Sequence, residues 1–340
     1  MRALPILQPA ILAKHAPRSL AEPATPPRAV RLSLTDRCDL ACVYCRPHKH
    51  DGYLEKRLSL EEWRTLAAGL VRAGVRRVRI TGGEPLLFPA LVDFVAALAD
   101  LGLEDVALTT NATRLERLAE PLARAGLHRL NVSIDTLDPK RFFRMTRGGS
   151  LAGVLAGIEA ARAAGFASIK TNTVVVRGEN DDEIRALTLW AWERGMIPRF
   201  LEVMPIGEGQ ALADRVVPYA EMHAAVADLV EEAPPAREPD RGPARYLDRR
   251  GGGARVGFIT GTTDTFCKGC DRLRVASDGV LRPCLATNDG LSAMGSIAAR
   301  DPDGVADDVR AAWRMKPDGE VWKGCTEETA RGVSIRQIGG

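Results

Sequence analysis

Residues 31–45 read RLSLTDRCDLACVYC, and the cysteines of this stretch guide the interpretation of the whole chain. Cys38, Cys42 and Cys45 follow Cys-x3-Cys-x2-Cys spacing, and the aromatic Tyr44 precedes the last of them. Three thiolates on one short loop can hold three irons of a four-iron cluster, which leaves the fourth iron open to a small molecule. The stretch therefore predicts a loop that binds an iron–sulfur cluster with one open coordination site.

A second group of cysteines follows later in the chain, in Cys-x2-Cys-x13-Cys spacing: Cys267, Cys270 and Cys284. It again supplies three ligands, and Cys325 could complete a set of four. Structural zinc is an alternative for both groups, because His48 or His50 could supply a fourth ligand to the first. The spacing indicates metal binding at two places and leaves the metal open.

Composition narrows the class of protein. The chain has 340 residues, 45% of them hydrophobic and 27% charged, which is typical of a globular protein of about two domains. A net charge of +3 is too small to indicate a nucleic-acid-binding or membrane-binding protein, and no apolar run reaches the roughly 18 residues of a spanning helix. Six of the seven cysteines lie in two tight groups and no export signal is evident, so we expect metal ligation in the cytoplasm rather than disulfides.

Strand and helix patterns alternate from Ala29 onward. The predicted strands are apolar and β-branched: Val30–Thr35, Arg77–Thr81, Val106–Thr110, Leu130–Ile134, Ile169–Val176 and Phe200–Met204. The predicted helices between them are Leu60–Ala73, Ala90–Leu101, Arg114–Ala125, Leu151–Ala164 and one that Asn180 and Glu183 open and Gly195 ends. Ser59 and Glu62 form a capping box before the first helix. Six strand–helix repeats predict a parallel α/β architecture, and periodicity alone leaves a doubly wound sheet and a partial barrel open.

The pattern changes after Met204. A helix is predicted over Pro218–Glu232 and another near Val305–Met315, with a Pro-, Gly- and Arg-rich linker between residues 233 and 253. Short strands are predicted at Arg255–Thr260, Leu273–Ser277 and Val280–Leu281, the last two joined by an Asp278-Gly279 turn. The predicted organisation is a flexible extension over residues 1–28, an α/β domain over 29–232 and a smaller C-terminal domain over 233–340.

The polar residues of the repeats fall mainly at the C-terminal ends of the strands, where parallel α/β folds carry their chemistry. Thr81-Gly82-Gly83-Glu84-Pro85 ends the second strand. Two glycines allow the backbone of such a turn to approach a ligand closely. The turn is therefore expected to lie beside the first cysteine loop.

The cysteine loop and the Gly-Gly-Glu-Pro turn together resemble the signature of radical S-adenosylmethionine (SAM) enzymes. The chain as a whole resembles one family of them, GTP 3′,8-cyclase, or molybdenum cofactor biosynthesis protein A. The matching strings are RLSLTDRC, RITGGEPL, LTTNATRL, RLNVSIDTLD, FCKGCDRLRVASDG and the terminal IGG. They run from residue 31 to 284 and return at the C-terminus, whereas residues 286–333 match least. Asn111-Ala112 departs from the Asn-Gly that is usual in the family.

The resemblance implies a fold and a mechanism. The fold would be a partial (β/α)6 barrel of TIM type with a smaller C-terminal α+β domain that carries a second cluster. The cofactors would be two [4Fe-4S] clusters and SAM, whose cleavage gives a 5′-deoxyadenosyl radical. This radical would take hydrogen from C3′ of GTP, and the ribose carbon would then attack C8 of guanine. The second cluster would hold guanine through its open iron.

The resemblance also implies roles for individual residues. Cluster ligands would be Cys38, Cys42 and Cys45 for the first cluster and Cys267, Cys270 and Cys284 for the second. SAM would contact Tyr44, Gly82, Gly83, Glu84, Thr110, Ser133 and Met204. GTP would contact Arg31, Arg77, Arg79, Lys170, Arg199, Arg272 and Arg274, since a triphosphate needs several charge-assisted donors. The catalytic set would be Arg31 with Gly339 and Gly340, which would reach into the active site. Surface ion pairing is the alternative for each arginine, and core packing or strand-end hydrogen bonding for Thr110, Ser133 and Met204.

The family further implies an electron donor such as flavodoxin or ferredoxin, a following cyclic pyranopterin monophosphate synthase and a homodimer. No nucleic acid or membrane is expected as a partner. Two other interpretations stay open: a radical SAM peptide-modifying maturase with an auxiliary cluster, and a non-catalytic iron–sulfur or zinc scaffold. The scaffold leaves the Gly-Gly-Glu-Pro turn unexplained.

Overall fold

The computed structural model describes residues 27–46, 53–233, 235–237, 242–264, 266 and 270–317. Within these residues a single sheet of twelve strands is formed. The strands are β1 Ala29–Ser33, β2 Arg77–Thr81, β3 Asp105–Thr110, β4 Arg129–Ser133, β5 Ser168–Val175, β6 Ile197–Glu202, β7 Ala236–Arg237, β8 Arg245–Asp248, β9 Arg255–Ile259, β10 Arg272–Val275, β11 Val280–Arg282 and β12 Leu291–Ser292. Their order in the sheet is β12-β11-β10-β1-β2-β3-β4-β5-β6-β9-β8-β7.

Strands β1 to β6 pair in parallel in chain order, as the six-repeat partial barrel requires. The C-terminal part of the chain extends this sheet at both edges. Strand β10 pairs in parallel with β1, and β9 pairs in parallel with β6. Antiparallel pairs then end the sheet, β11 with β10 on one side and β8 with β9 on the other. Because one sheet contains both predicted domains, the boundary at residue 232 stays a prediction.

Helices cover one face of the sheet. They are α1 Leu60–Arg72, α2 Leu91–Asp100, α3 Leu115–Arg124, α4 Pro139–Thr146, α5 Leu151–Ala163, α6 Ile184–Glu193, α7 Tyr219–Ala224, α8 Met294–Ala298 and α9 Pro302–Arg314. The predicted capping box is present, with Ser59 accepting from the Glu62 amide and Glu62 accepting from the Ser59 amide. Helix α9 packs on α1, where Gly69 lies directly against Val305. None of the helices in the described part of the chain is long and apolar enough to cross a membrane.

Alternation along the strands separates an apolar face from a polar one. Val30, Leu32 and Ile80 are at most 1% exposed and belong to the main hydrophobic cluster between sheet and helices. The residues between them point to the opposite face, because successive side chains of a strand alternate. Arg31 and Arg79 are therefore directed into the barrel interior, which places charge in the interior and hydrophobic contacts outside it.

Most predicted elements are confirmed to within a residue or two, and three differ more. Strand β6 begins at Ile197 and helix α9 begins at Pro302, each three residues before the predicted start. The helix predicted over Pro218–Glu232 is wrong in length, since α7 ends at Ala224. Val230 instead forms an isolated antiparallel bridge with Arg249. Pairing with a segment distant in the sequence therefore replaces the helix at the end of the predicted range.

Candidate active site

The first cysteine loop leaves β1 and is held to two other parts of the barrel. The Leu34 amide donates to the Thr81 carbonyl over 3.0 Å, which joins the loop to the end of β2. Further along, the Ala41 and Val43 amides donate to the carbonyls of Thr146 and Met145 over 3.1 and 3.0 Å. Both acceptors lie at the end of α4, so this helix fixes the cysteine loop from the outside.

Tyr44 reaches across the barrel mouth to β4 and β5. Its hydroxyl donates to Asp135 Oδ2 over 2.7 Å, and Asp135 Oδ1 accepts from the Val174 amide over 2.9 Å. Burial raises the pKa of Asp135 to about 6, opposed by these two hydrogen bonds. The predicted SAM residue Tyr44 is therefore also a tether between the cysteine loop and the strand ends.

Removal of this tether should loosen the loop. We expect Tyr44→Phe to lower the free energy of unfolding of the cluster-free protein by about 1.5–3 kcal/mol, the usual value of a hydrogen bond to a charged group. Chemical denaturation measures the change. Tyr219→Phe, on α7 and away from the loop, is the control and should change stability by less. Equal stability of Tyr44→Phe and the original protein would show that the tether contributes nothing.

The Gly-Gly-Glu-Pro turn packs on the backbone just before Cys38. The Gly83 amide donates to the Thr35 carbonyl over 2.6 Å, and the Glu84 amide donates to the Arg37 carbonyl over 2.7 Å. A Cβ atom at Gly82 would come within 2.5 Å of the Thr35 oxygen, and one at Gly83 would overlap the Arg37 carbonyl. The glycines thus permit a close approach of the turn to the cysteine loop, as expected from the sequence, and the approach to a ligand stays a prediction.

A side chain at Gly83 should therefore separate the turn from the loop. We expect Gly83→Ala to lower the free energy of unfolding by about 1–3 kcal/mol, since backbone atoms must move to admit the methyl group. Gly295→Ala is a matched control, because Gly295 lies in α8 with open space where its Cβ would be. In thermal unfolding that control should be neutral or stabilising. A Gly83→Ala protein as stable as the control would contradict the packing argument.

Glu84 is 1% exposed and accepts three hydrogen bonds. Oε1 accepts from the Leu86 amide and the Thr110 hydroxyl over 2.9 and 2.7 Å, and Oε2 accepts from the Asn111 amide over 2.7 Å. Burial raises the pKa of Glu84 to about 7, although these three donors oppose the shift. The carboxylate thus joins the ends of β2 and β3, and Thr110 is engaged by protein.

Asn111 connects β3 to the cysteine loop. Its Nδ2 donates to Asp39 Oδ1 over 2.9 Å and lies 3.9 Å from the Cys38 sulfur. Ala112, where the family usually has glycine, adopts φ of 61°, in the left-handed region that favours glycine. The turn therefore keeps the glycine-like conformation, and the Asn-Ala departure leaves its shape intact.

The first site fits a cluster and an organic cofactor in its donor chemistry. Burial raises the pKa values of the Cys38 and Cys42 thiols above their usual range, and bound iron would reverse this by favouring thiolates. No group of three Cys, His, Asp or Glu in the described ranges is arranged around a single metal ion. On the interior face, the buried Asn172 Oδ1 has no hydrogen-bond partner. Asn172 is in register with Ser133, the predicted SAM residue. Its Oδ1 could therefore accept a hydrogen bond from a cofactor bound there.

Basic residues line the barrel interior in register. Arg31 stands beside Arg274 of β10 and Arg79 of β2. One cavity at the N-terminal ends of the strands is lined by charged residues from neighbouring strands: Arg31, Arg77, Arg79, Asp105, Arg129 and Arg272. Lys170 and Arg199 lie farther round the sheet and are 7% and 3% exposed. All seven residues predicted to contact GTP therefore lie on strands that line the barrel: β1, β2, β5, β6 and β10.

The concentration of like charge is visible in the pKa values. Burial lowers the pKa of Arg31 well below its usual value, and the nearby Arg274 and Arg79 lower it further. Burial and Arg199 lower the pKa of Arg79 to about 9. Burial and Arg272 lower the pKa of Arg274 to about 10. A polyanion bound in the interior would relieve such mutual repulsion.

Some basic side chains already have protein partners. Arg77 pairs with Asp271 over 2.8 Å, and Arg129 pairs with Asp105. Two further contacts involve residues that sequence reasoning did not select. Lys170 Nζ donates to the Tyr246 hydroxyl over 3.0 Å, and Arg199 donates to Asn131 Oδ1 over 2.5 Å. A strand position beside a basic residue was the available signal for Asn131, whereas Tyr246 lies on β8, a short strand that the sequence did not predict.

The second cysteine group is described only in part. Cys270 and Cys284 lie at the ends of the β10–β11 hairpin, and the predicted Asp278-Gly279 turn joins the strands. Burial raises the pKa of Cys270, but Arg272 and Lys316 outweigh it and lower the pKa to about 7. The remaining predicted residues lie outside the described part of the chain: His48, His50, Cys267, Cys325, Gly339 and Gly340. The extension over 1–28 also falls almost wholly outside it.

Met204 follows β6 beside a contact between two loops of this chain. Glu202, 2% exposed, accepts hydrogen bonds from the Thr262 and Thr263 amides, each over 2.9 Å. A Cβ at Gly261 would lie 2.9 Å from the Met204 sulfur. Met204 is thus packed against the segment that leads toward the second cysteine group.

Comparison with known proteins agrees with these features. Residues 32–191 match the Radical SAM superfamily, and residues 196–322 match Molybdenum Cofactor Synthesis C. A GTP 3′,8-cyclase of Erythrobacter litoralis is 40% identical, covering 92% of this chain and 95% of the relative. One from Paracoccus denitrificans is 41% identical and covers 90% of each chain.

Solved structures support the fold. Streptococcus suis SuiB bound to S-adenosylmethionine has a TM-score of 0.62 at 15% identity, covering 92% of this chain and 77% of SuiB. The structure of anSMEcpe with bound AdoMet has a TM-score of 0.51 at 16% identity, covering 75% and 74% of the two chains. The family matches and the relatives, which cover nearly the whole chain, lead to one assignment. The chain belongs to the GTP 3′,8-cyclase family of radical SAM enzymes, which use a [4Fe-4S] cluster and SAM in molybdenum cofactor biosynthesis.

Proposed function

We propose that the chain converts GTP to (8S)-3′,8-cyclo-7,8-dihydroguanosine 5′-triphosphate, the first step of molybdenum cofactor biosynthesis. The observation that carries the proposal is the basic barrel interior centred on Arg31, Arg79 and Arg274. Its accumulated positive charge suits a tetra-anionic triphosphate chain. The relatives named GTP 3′,8-cyclase support the same substrate.

The first cluster and SAM would lie at the C-terminal ends of the strands. Cys38, Cys42 and Cys45 would ligate the cluster, and Asn172 with Ser133 would offer polar groups to SAM. When bound, the reduced cluster and SAM would supply a 5′-deoxyadenosyl radical that takes hydrogen from C3′ of GTP. This carbon would then bond to C8, and the ring-closed radical would accept one electron from the external donor and one proton to give the dihydro product. The protein contributes by holding the reacting groups together and apart from water.

The triphosphate would lie toward the N-terminal ends of the strands. Arg31, Arg79 and Arg274 would donate to phosphate oxygens, and Lys170 and Arg199 would complete the anion site from β5 and β6. Arg77 and Arg272 would contribute from the cavity edge, Arg77 while paired to Asp271. Such donors keep the ribose at a fixed depth in the barrel, so that C3′ faces the cofactor.

The proposal extends to the second cluster, the C-terminal glycines and the protein partners. A second [4Fe-4S] cluster on Cys267, Cys270 and Cys284 would bind guanine. Gly339 and Gly340 would reach the active site, where the absence of side chains permits close approach. A flavodoxin or ferredoxin would supply electrons, cyclic pyranopterin monophosphate synthase would take the product, and the enzyme would be a homodimer.

Isotope transfer tests this function directly. GTP carrying deuterium at C3′ should yield 5′-deoxyadenosine with one deuterium under anaerobic turnover with SAM and a strong reductant. GTP labelled at C2′ is the control and should give unlabelled 5′-deoxyadenosine. If GTP labelled at C3′ is consumed but the 5′-deoxyadenosine carries no deuterium, hydrogen is not abstracted from C3′. A peptide-modifying enzyme would leave GTP unchanged.

A further inference from the structure

A buried lysine lies beside the second cysteine group, in the stretch of sequence that resembles the family least. Lys316 follows the end of α9 and is only 6% exposed. Its Nζ donates to the carbonyls of Arg272 and Pro283, each over 2.8 Å, and lies 5.0 Å from the centre of the Trp313 ring. A buried ammonium is uncommon, because removal of the charge from water is costly unless that charge is balanced.

The two acceptors place Lys316 between the described cysteines. Arg272 is two residues after Cys270 and opens β10, and Pro283 immediately precedes Cys284 after β11. One ammonium therefore ties together the two ends of the hairpin that carry these cysteines. Both acceptors are neutral carbonyls, and Lys316 forms no ion pair with a carboxylate in the described part of the chain. The positive charge therefore has no carboxylate partner there. Burial lowers the pKa of Lys316, and the nearby sulfurs of Cys270 and Cys284 oppose this shift.

We propose that Lys316 is a positioning residue for the second cluster: it sets the spacing of Cys270 and Cys284 through the two carbonyls and balances their thiolates with a fixed positive charge. The inference rests on the second cluster of the proposed function. The cysteines in turn offset the cost of burying the lysine, so each group stabilises the other. A nearby positive charge favours the reduced, more negative form of a cluster, and charge is a recognised determinant of cluster potential. Lys316 therefore raises the reduction potential of the second cluster.

The position of α9 explains how the lysine is held there. This helix packs on α1 through Val305 and Gly69, and its N-terminus is capped by Asp301, which accepts from the Asp303 amide. The barrel wall thus fixes the helix, and the helix delivers Lys316 to the hairpin. Lys316, which lies outside the cysteine loop, would therefore fix the position of the second cluster relative to the barrel.

The test compares Lys316→Met with Lys316→Arg in the full-length holoprotein. Met removes the charge and both hydrogen bonds at similar length, whereas Arg keeps the charge. Lys140→Met, at an exposed position of α4, is the control. The readouts are iron per chain, the rate of iron release to a chelator and the midpoint potential of the second cluster, which is distinguished from the first because SAM alters only the first cluster's spectrum.

We expect Lys316→Met to release iron from the second cluster at least tenfold faster and to shift that cluster to a more negative potential. Lys316→Arg should keep a potential near that of the original protein, and Lys140→Met should match it in every readout. If Lys316→Met does not fold, Lys316→Gln replaces it as the neutral variant. An unchanged potential and release rate in a folded neutral variant would overturn the role of Lys316. If the original protein itself carries only one cluster, the second-cluster proposal fails first, and the iron content separates these two failures.

Discussion

Arg31→Met is expected to weaken GTP binding by about tenfold to a hundredfold. Loss of one charge-assisted hydrogen bond costs about 1.5–3 kcal/mol, and each 1.4 kcal/mol is a factor of ten in affinity. Arg31 stands between Arg274 and Arg79 in the interior register, where a phosphate chain would be shared among all three. Calorimetric titration of GTP into the variant and the original protein measures the change.

The same substitution should have the opposite effect on the protein without ligand. Arg31 is repelled by four neighbouring arginines, so its removal should raise the free energy of unfolding. Arg117→Met, on the exposed surface of α3, is the control and should alter neither property. Arg31→Lys keeps the charge but not the planar, forked guanidinium group. Its GTP affinity should therefore lie between those of Arg31→Met and the original protein. Normal GTP affinity in Arg31→Met would remove Arg31 from the anion site.

Glu84→Met is expected to lower the free energy of unfolding by about 3–5 kcal/mol. The substitution leaves the Leu86 and Asn111 amides and the Thr110 hydroxyl without their acceptor, and each buried unsatisfied donor costs about 1–3 kcal/mol. Such a loss is a large part of the 5–15 kcal/mol that is usual for a folded domain. Chemical denaturation of the cluster-free protein measures it.

Glu84→Gln separates the loss of the charge from the loss of both acceptor oxygens. Glutamine keeps one acceptor oxygen, but its NH₂ group faces one of the three groups that donate to Glu84. We therefore expect the free energy of unfolding to fall by an intermediate amount, about 2 kcal/mol. Glu120→Gln, in an exposed pair with Arg124, is the control and should change stability by no more than about 0.5 kcal/mol. If Glu84→Gln and Glu84→Met are both as stable as the control, Glu84 does not join the strand ends.

The repeat pattern was predictable from the sequence because most of its strands are long enough to show apolar, β-branched runs between helical patterns. Strand β2, Arg77–Thr81, was predicted at both ends, and the Ser59–Glu62 capping box marked the start of α1. Helix α4 was not predicted, because Pro139 and a short charged segment give little periodicity. Edge strands such as β7, Ala236–Arg237, depend on pairing with a neighbour that local sequence cannot show.

The sequence allows candidate site residues to be selected, but it does not show their contacts. Cys38 and Arg31 could be selected from motifs, but the partners of Glu84 depend on the way β2 and β3 end side by side. Asn180 illustrates the same difficulty. It was expected to open a helix, yet its side chain forms no cap there and instead binds the Val176 amide and the carbonyls of Asp135 and Val174. Lys316 gave no signal, since a lysine after a helix normally lies in solvent.

The most direct test of the account is anaerobic turnover of the reconstituted full-length protein with SAM, a strong reductant and GTP, followed by mass spectrometry. We expect 5′-deoxyadenosine together with a new product of the same mass as GTP and a different absorption spectrum. We also expect Arg31→Met to form this product at a lower rate at limiting GTP. A protein that carries its clusters and cleaves SAM but leaves GTP unchanged would contradict the account.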